Sequence, residues 1–382
     1  MHDSMNVYFD NAASTVVRDE AVEAMVRVMK DGFGNPSSMH AYGRRAKGEL
    51  ENARKSVASA LGARPENIYF TSGGTEADNW AILRVCDSLS RKGRHIITSA
   101  IEHSAVLDPL RMLESKGFEV TYLTPDNNGR IPVDVFSAAL REDTVFASIM
   151  LVNNEIGAVN PLSGYSHEIK RRGLDTILHS DAVQGLCKIP FSVKSTGADL
   201  ISVSSHKLHG PKGIGALYVS DKIKLTPLIL GGSQERSIRG GTEALPAIAG
   251  FGEAVRLGYI ELDVTTPVIS NLRQYTVDSL KTQIPGIKFI GEGDSPFILC
   301  ISLPSYKSEV LMNYLDGEGI YVSRSAACKK GARSRTLEAM LLKNDIIDGS
   351  LRISFSRYSS RNEADYFVQT LKKGAETLLK VK

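Results

Sequence analysis

Between about Ala46 and Ser220 the chain alternates helical stretches with short β-type runs, and no other feature constrains its fold as much. Ala46, Leu50, Ala53, Val57 and Leu61 recur every three to four residues, the spacing of one helical face. The run Ile68-Tyr69-Phe70-Thr71 follows and breaks at Ser72-Gly73-Gly74, and a second helical segment opens at Thr75. Further strand-type runs lie at 95–99, 118–123, 144–152, 176–179, 200–204 and 216–219. This alternation predicts an α/β fold with a large, mostly parallel sheet covered by helices on both faces. In such sheets ligands sit outside the C-terminal ends of the strands. Beyond about Phe251 the pattern changes to helices at 272–280, 308–315 and 364–379 with strands at 297–303 and 351–355, which predicts a smaller α+β unit. The expected division is a large domain over residues 15–250 and a small one built from 1–14 and 251–382.

Composition narrows the function classes. The chain has 382 residues, 42% of them hydrophobic and 23% charged, close to a globular average. Its net charge of +3 is too balanced for a nucleic-acid-binding stripe. The longest apolar run, 145–152, is far shorter than the roughly 20 residues that cross a bilayer. The first eleven residues carry Asp3 and Asp10 and do not read as a signal peptide, so a cytoplasmic location is expected. Cys86, Cys187, Cys300 and Cys328 are widely spaced, with no CxxC pair and no Cys/His cluster. Neither a disulfide framework nor a metal site is expected.

Three motifs fall at expected strand ends. In Thr71-Ser72-Gly73-Gly74-Thr75 a strand breaks at two glycines and a helix begins. Unpaired backbone N–H groups at such a helix start bind phosphate, and the glycines admit it closely; the ordinary alternative is a Thr-capped turn. Asp181 follows the apolar pair Ile177-Leu178. A carboxylate there can keep a pyridine nitrogen protonated, or merely cap the next helix. Lys207 ends Ser202-Val203-Ser204-Ser205-His206-Lys207 ahead of a glycine-rich reversal. A partly desolvated lysine offers the neutral amine that bonds an aldehyde, whereas most lysines are solvated surface charges. A phosphate cradle, a nitrogen partner and an amine at successive strand ends are together what pyridoxal 5′-phosphate (PLP) requires.

The sequence resembles the cysteine desulfurases of iron–sulfur cluster assembly, in the class V aminotransferase group of fold-type I PLP enzymes. The likeness rests on Asp10-Asn11-Ala12-Ala13-Ser14-Thr15, Gly34-Asn35-Pro36-Ser37-Ser38, Thr75-Glu76-Ala77-Asp78-Asn79, Glu102-His103, Val152-Asn153-Asn154-Glu155-Ile156-Gly157, Asp181-Ala182-Val183-Gln184, Ser205-His206-Lys207 and Arg239-Gly240-Gly241-Thr242. The resemblance implies that Lys207 bonds the cofactor aldehyde, Asp181 pairs with the ring nitrogen, and His103 stacks on the ring and serves in acid–base steps. It implies further that Gln184 bonds the ring hydroxyl, and that Gly74, Thr75, Ser204 and His206 hold the phosphate. Thr242 would reach the phosphate of a neighbouring subunit, which implies a homodimer. Asn154 and Arg352 would bind the amino-acid moiety of L-cysteine.

By the same resemblance Cys328 is the nucleophile that takes the sulfur as a persulfide for an acceptor, an iron–sulfur scaffold or a tRNA-thiolation protein. Its loop reads Ser323-Arg324-Ser325-Ala326-Ala327-Cys328, where the family usually has Ser-Ser-Gly-Ser-Ala-Cys. The cations Arg324, Lys329, Lys330, Arg333 and Arg335 around Cys328 predict a lowered thiol pKa. Cys86, Cys187 and Cys300 read as small core residues. The altered loop leaves room for a selenocysteine lyase or another class V lyase or transaminase on the same cofactor site. A non-catalytic PLP-fold assembly partner would have no need of Lys207, Asp181, His103 and Gln184.

Overall fold

A computed structural model describes residues 5–324 and 333–379. Cys328, Lys329 and Lys330 lie outside the described residues. After the short β1 (Val7–Tyr8), seven strands form the large sheet: β2 (Ile68–Thr71), β3 (His95–Ser99), β4 (Glu119–Leu123), β5 (Thr144–Ser148), β6 (Ile177–Asp181), β7 (Leu200–Ser204) and β8 (Gly215–Val219). Their spatial order is β2-β8-β7-β6-β5-β3-β4, and only β8 runs antiparallel to its neighbours. Thr71, Ser99, Ser148, Asp181 and Ser204 therefore end their strands at one edge of the sheet. Helical crossovers force this arrangement, because parallel neighbours cannot be joined by a tight turn.

Both faces of the sheet are covered, as the apolar runs require. Ile97, Ile201 and Ala216 pack into one core and their chain neighbours Ile96, Leu200 and Leu217 into another on the opposite face. The first core is closed by the helix Ala41–Leu61, whose five periodic residues are all buried. That helix stops at Gly62, where φ is +63°, a left-handed cap that suits glycine. The second core is centred on fully buried Trp80, whose indole N–H reaches Thr226 O at 2.8 Å.

The remaining strands are β9 (Lys288–Ile290), β10 (Ile298–Ser302), β11 (Ile320–Tyr321), β12 (Ser323–Arg324) and β13 (Ser350–Ser354). β12-β13-β10-β9 form an antiparallel sheet, and β11 pairs with β1. Val7 and Phe9 from the start of the chain pack into the same core as Leu299, Ile301, Leu351 and Ile353. Phe251, Ala254 and Val255 belong instead to the core of the large sheet.

One element is shorter than its apolar run predicts. The strand expected over 144–152 ends at Ser148. β3 has by then turned away, and the next free N–H on that side, Met150 N, is taken by Glu102 Oε1 at 2.9 Å. The other side continues along β6, with Ile149 N on His179 O and Leu151 N on Asp181 O. The run becomes the floor of a cavity.

Candidate active site

The cavity lies at the C-terminal edge of the parallel strands and has a volume of about 630 Å³. Gly74, Thr75, His103, Asn154, Asp181, Gln184, Ser204, His206, Lys207 and Arg352 all line it. Residues spread over 279 positions of chain thus meet in one space (from 74 to 352). Thr242 is exposed and outside this lining. Its segment is tied back to the cavity's helix by Arg239, which binds Glu76 at 2.9 and 3.1 Å.

The wall at β2 is a helix start. The helix Gly74–Leu89 begins immediately after Gly73, and its first N–H groups have no intrahelical acceptor. Two glycines are needed for close approach. A Cβ on Gly74 would lie 2.8 Å from Val183 Cγ2, and one on Gly215, opposite Thr71 and Ser204, would lie 2.8 Å from the Gly73 backbone. The helix start is pressed against the sheet edge with only hydrogen atoms between.

Asp181 ends β6, 7% exposed, and accepts Val183 N at 2.9 Å. Burial pushes its carboxyl up, while the Val183 N–H bond and then His103 and Lys207 oppose the shift. No helix follows Asp181, so its bond to Val183 N is a local turn contact rather than an N-cap. His103 is exposed at the cavity wall and caps the helix Ser104–Ser115 through Nδ1, which accepts Ala105 N at 3.1 Å. His103 is thus not a buried core histidine, unlike His95 and His179.

Lys207 follows β7 in a single 3-10 turn (Ser205–Lys207). Its Nζ donates to Ala12 O at 2.7 Å and Ala13 O at 2.8 Å. Burial, helped by the Arg352 cation, lowers its pKa to about 8. His206 is lowered to about 4 by burial and the nearby lysines, so its ring is neutral at neutral pH. Gln184 Nε2 donates to the same Ala12 carbonyl at 2.9 Å.

Arg352 comes from β13 of the other sheet and is 2% exposed. It donates to Asp10 Oδ1 at 2.8 Å and to Asn154 O at 3.0 Å. Its Nε is buried without a partner among the described residues, leaving a donor for an anion. Asn154 is presented by a turn that Asn153 holds, its Oδ1 accepting Glu155 N at 2.9 Å and Ile156 N at 3.0 Å.

Several cavity groups carried no assignment in the sequence reading. Asp78 and Glu102 each keep one buried oxygen without a partner among the described residues. Burial raises both carboxyls, Glu102 to about 8. Asp78 lies 3.5 Å from His179, whose pKa burial lowers to about 3. Burial disfavours charge on both Asp78 and His179 and so opposes an ion pair there. Both acids stand inside motifs visible in the sequence, Thr75–Asn79 and Glu102-His103, but only burial shows that their carboxyls are raised. Arg333 and Arg335 line the cavity rim, where Arg333 binds Asp348 at 2.8 Å and Arg335 binds Ser104 Oγ at 3.2 Å. Cys86 and Cys300 are buried, and Cys187 is half-buried with its thiol pushed up to about 12 by burial.

The aminotransferase class-V family model matches residues 7–367. The chain belongs to the class-V aminotransferase family. Enzymes of this family are PLP-dependent. Among curated class-V relatives, the cysteine desulfurase IscS of Dictyoglomus turgidum is 41% identical over 376 residues, covering 97% of this chain and 95% of that protein. Among solved structures, a NifS-like protein superposes with a TM-score of 0.93 at 37% identity, covering 98% of this chain and all of that one (100%). A second structure, SspA in complex with cysteine, gives 0.80 at 33% identity, covering 93% and 100%. These class-V relatives favour a desulfurase over the selenocysteine lyase and the non-catalytic partner.

Proposed function

We propose that this chain is a PLP-dependent L-cysteine desulfurase that forms alanine and passes the sulfur on as a persulfide. The observation that carries the reading is Lys207, an amine lowered to about 8, in one cavity with Asp181 and the glycine-walled helix start. The cavity suits PLP in three respects: anion-binding N–H groups at Gly74 and Thr75, a buried acid at Asp181, and an amine that is partly neutral near pH 7. Ser204 and His206 would complete the phosphate contacts, and Gln184 would meet the ring hydroxyl. When bound, PLP supplies an aldehyde that condenses with amines and a ring that withdraws electrons from the substrate α-carbon.

The chain's own groups divide the remaining work. Arg352 holds the substrate carboxylate, with its unpartnered Nε and its guanidinium fork, and Asn154 closes that end. Lys207 Nζ and His103, on the cavity wall, move protons at the α-carbon and the leaving sulfur. The Cys328 thiolate attacks the substrate sulfur and the Cβ–S bond breaks. The carbon fragment keeps that electron pair, takes up a proton and leaves as alanine, while Cys328 carries the persulfide. Thr242, exposed and anchored through Arg239, would complete the phosphate site of a second copy in a homodimer. The persulfide would go to an acceptor protein, an iron–sulfur scaffold or a tRNA-thiolation protein. Among the described residues no helix is long and apolar enough to cross a membrane.

Incubation of the purified protein with L-cysteine and a reductant is expected to give sulfide and alanine in equal amounts. Lys207→Ala should lose the visible absorbance of bound PLP, and Cys328→Ala should lose sulfide release while keeping that absorbance. A protein that takes up no PLP, or a Cys328→Ala variant that turns over cysteine normally, overturns the corresponding half of the reading.

A further inference from the structure

Behind Gln184 lies a second lysine that the reading above does not use. Lys188 is 6% exposed, and its Nζ donates to Gln184 Oε1 at 2.7 Å. Among the described residues no carboxylate stands within salt-bridge distance of it. The charges that face it are cations, Lys207 and Arg352. Burial and those cations bring its pKa down to about 7. A buried amine with no acidic partner is expensive to keep, and an apolar side chain of the same length would fill the space without that penalty.

The cost is matched by a specific geometric consequence. The Lys188 amine donates to Gln184 Oε1 whether charged or neutral, since both forms carry N–H, and donates most strongly when charged. The other end of the same amide, Nε2, donates to Ala12 O at 2.9 Å, and that carbonyl also accepts Lys207 Nζ at 2.7 Å. The two contacts fix which way the amide faces. A flipped Gln184 would set its NH₂ against the Lys188 amine and its oxygen against the Ala12 carbonyl. In the observed orientation Nε2 keeps a second N–H, and Gln184 lines the cavity.

The geometry points to Lys188 as a positioning residue that holds the Gln184 amide with its N–H edge toward the cofactor's ring oxygen. It rests on the PLP reading given above. Lys188 does not line the cavity and acts through Gln184 alone. Its removal should therefore matter only while Gln184 is present.

The test compares full-length wild type, Lys188→Met, Gln184→Ala and the double variant. Each is read by PLP dissociation in equilibrium dialysis and by the visible band of bound PLP. Lys188→Met should weaken PLP retention about tenfold, the size of one buried hydrogen bond, and shift the band. The double variant should retain PLP no worse than Gln184→Ala alone. Thermal unfolding of the PLP-free proteins controls for folding, and Lys188→Met should match or exceed wild type there. Wild-type retention and spectrum in Lys188→Met, or effects of the two single changes that simply add, overturn the inference. Should Lys188→Met not fold, Lys188→Leu carries the same comparison. A wild type that takes up no PLP refutes the PLP reading itself and is distinguished by that first measurement.

Discussion

Arg352 Nη2 and Asp10 Oδ1 stand 2.8 Å apart, and the same Asp10 oxygen accepts the Ser323 hydroxyl at 2.8 Å. One carboxylate thus joins the start of the chain, the guanidinium in the cavity and β12, five residues before Cys328. Arg352 is held by Asp10 at Nη2 and by the Asn154 carbonyl at Nη1, and its Nε has no partner among the described residues. Lysine cannot reproduce this, because a point charge lacks the planar fork. Arg352→Lys should raise KM for cysteine by roughly 10- to 100-fold, as expected for loss of a charge-assisted bidentate contact. Steady-state kinetics check it, and an unchanged KM would move the carboxylate site elsewhere.

On the proposed role of Lys207, its lowered pKa predicts the pH dependence of cofactor uptake. Only the neutral amine bonds an aldehyde. Below about 8 the neutral fraction falls with each step down in pH. Stopped-flow mixing of PLP-free protein with PLP should show a rate that drops about tenfold per pH unit below that point and levels above it. A rate flat between pH 6 and 9 would contradict the assignment.

Glu102 predicts an opposite slope for stability. Its carboxyl is raised by burial from an ordinary 4.5 to about 8. Across that window the folded protein keeps a proton that the unfolded chain releases. The associated stability is therefore full below 4.5 and is lost as pH rises through 8. Glutamine mimics the protonated acid at every pH. Urea unfolding at pH 5 and pH 8 should show a smaller loss in Glu102→Gln than in wild type. Equal losses would mean that Glu102 is ionised in the fold.

A buried ion pair supports the sheet edge beside the helix start. Arg54 donates to both oxygens of Glu235 at 2.8 Å, with the two side chains 3% and 2% exposed. Glu235 also accepts Phe70 N from β2 at 3.0 Å. Removing one partner strands a buried charge, so Glu235→Ala should destabilise by about 3–5 kcal/mol in urea denaturation. Exchange of both residues for apolar ones should be much milder.

Local chemistry was legible where one residue carries its own signal. The helix at 46–61 is announced by its apolar spacing, and the strand ends at Thr71, Asp181 and Ser204 by the polar residues that follow apolar runs. β1, β11 and β12, at two residues each, have no period to read. The overlong strand at 144–152 misleads because a cavity floor and a buried strand are equally apolar. Lys188 reads as one more lysine between Cys187 and Ile189, and nothing nearby in sequence shows that it is buried.

The sequence by itself determined the alternation of strands and helices over 46–220, the fold class, and which side chains stand at or just past strand ends: Gly74, Asp181, Gln184 and Lys207. These follow from periodicity and turn chemistry, which act within a few residues. The tertiary structure alone decided the charge states and the pairings. Lys207 is lowered by burial and by Arg352, 145 residues away in the sequence, and Arg352 finds Asp10 across 342. Desolvation and Coulomb forces sum over whatever the fold brings close, and sequence distance does not enter that sum.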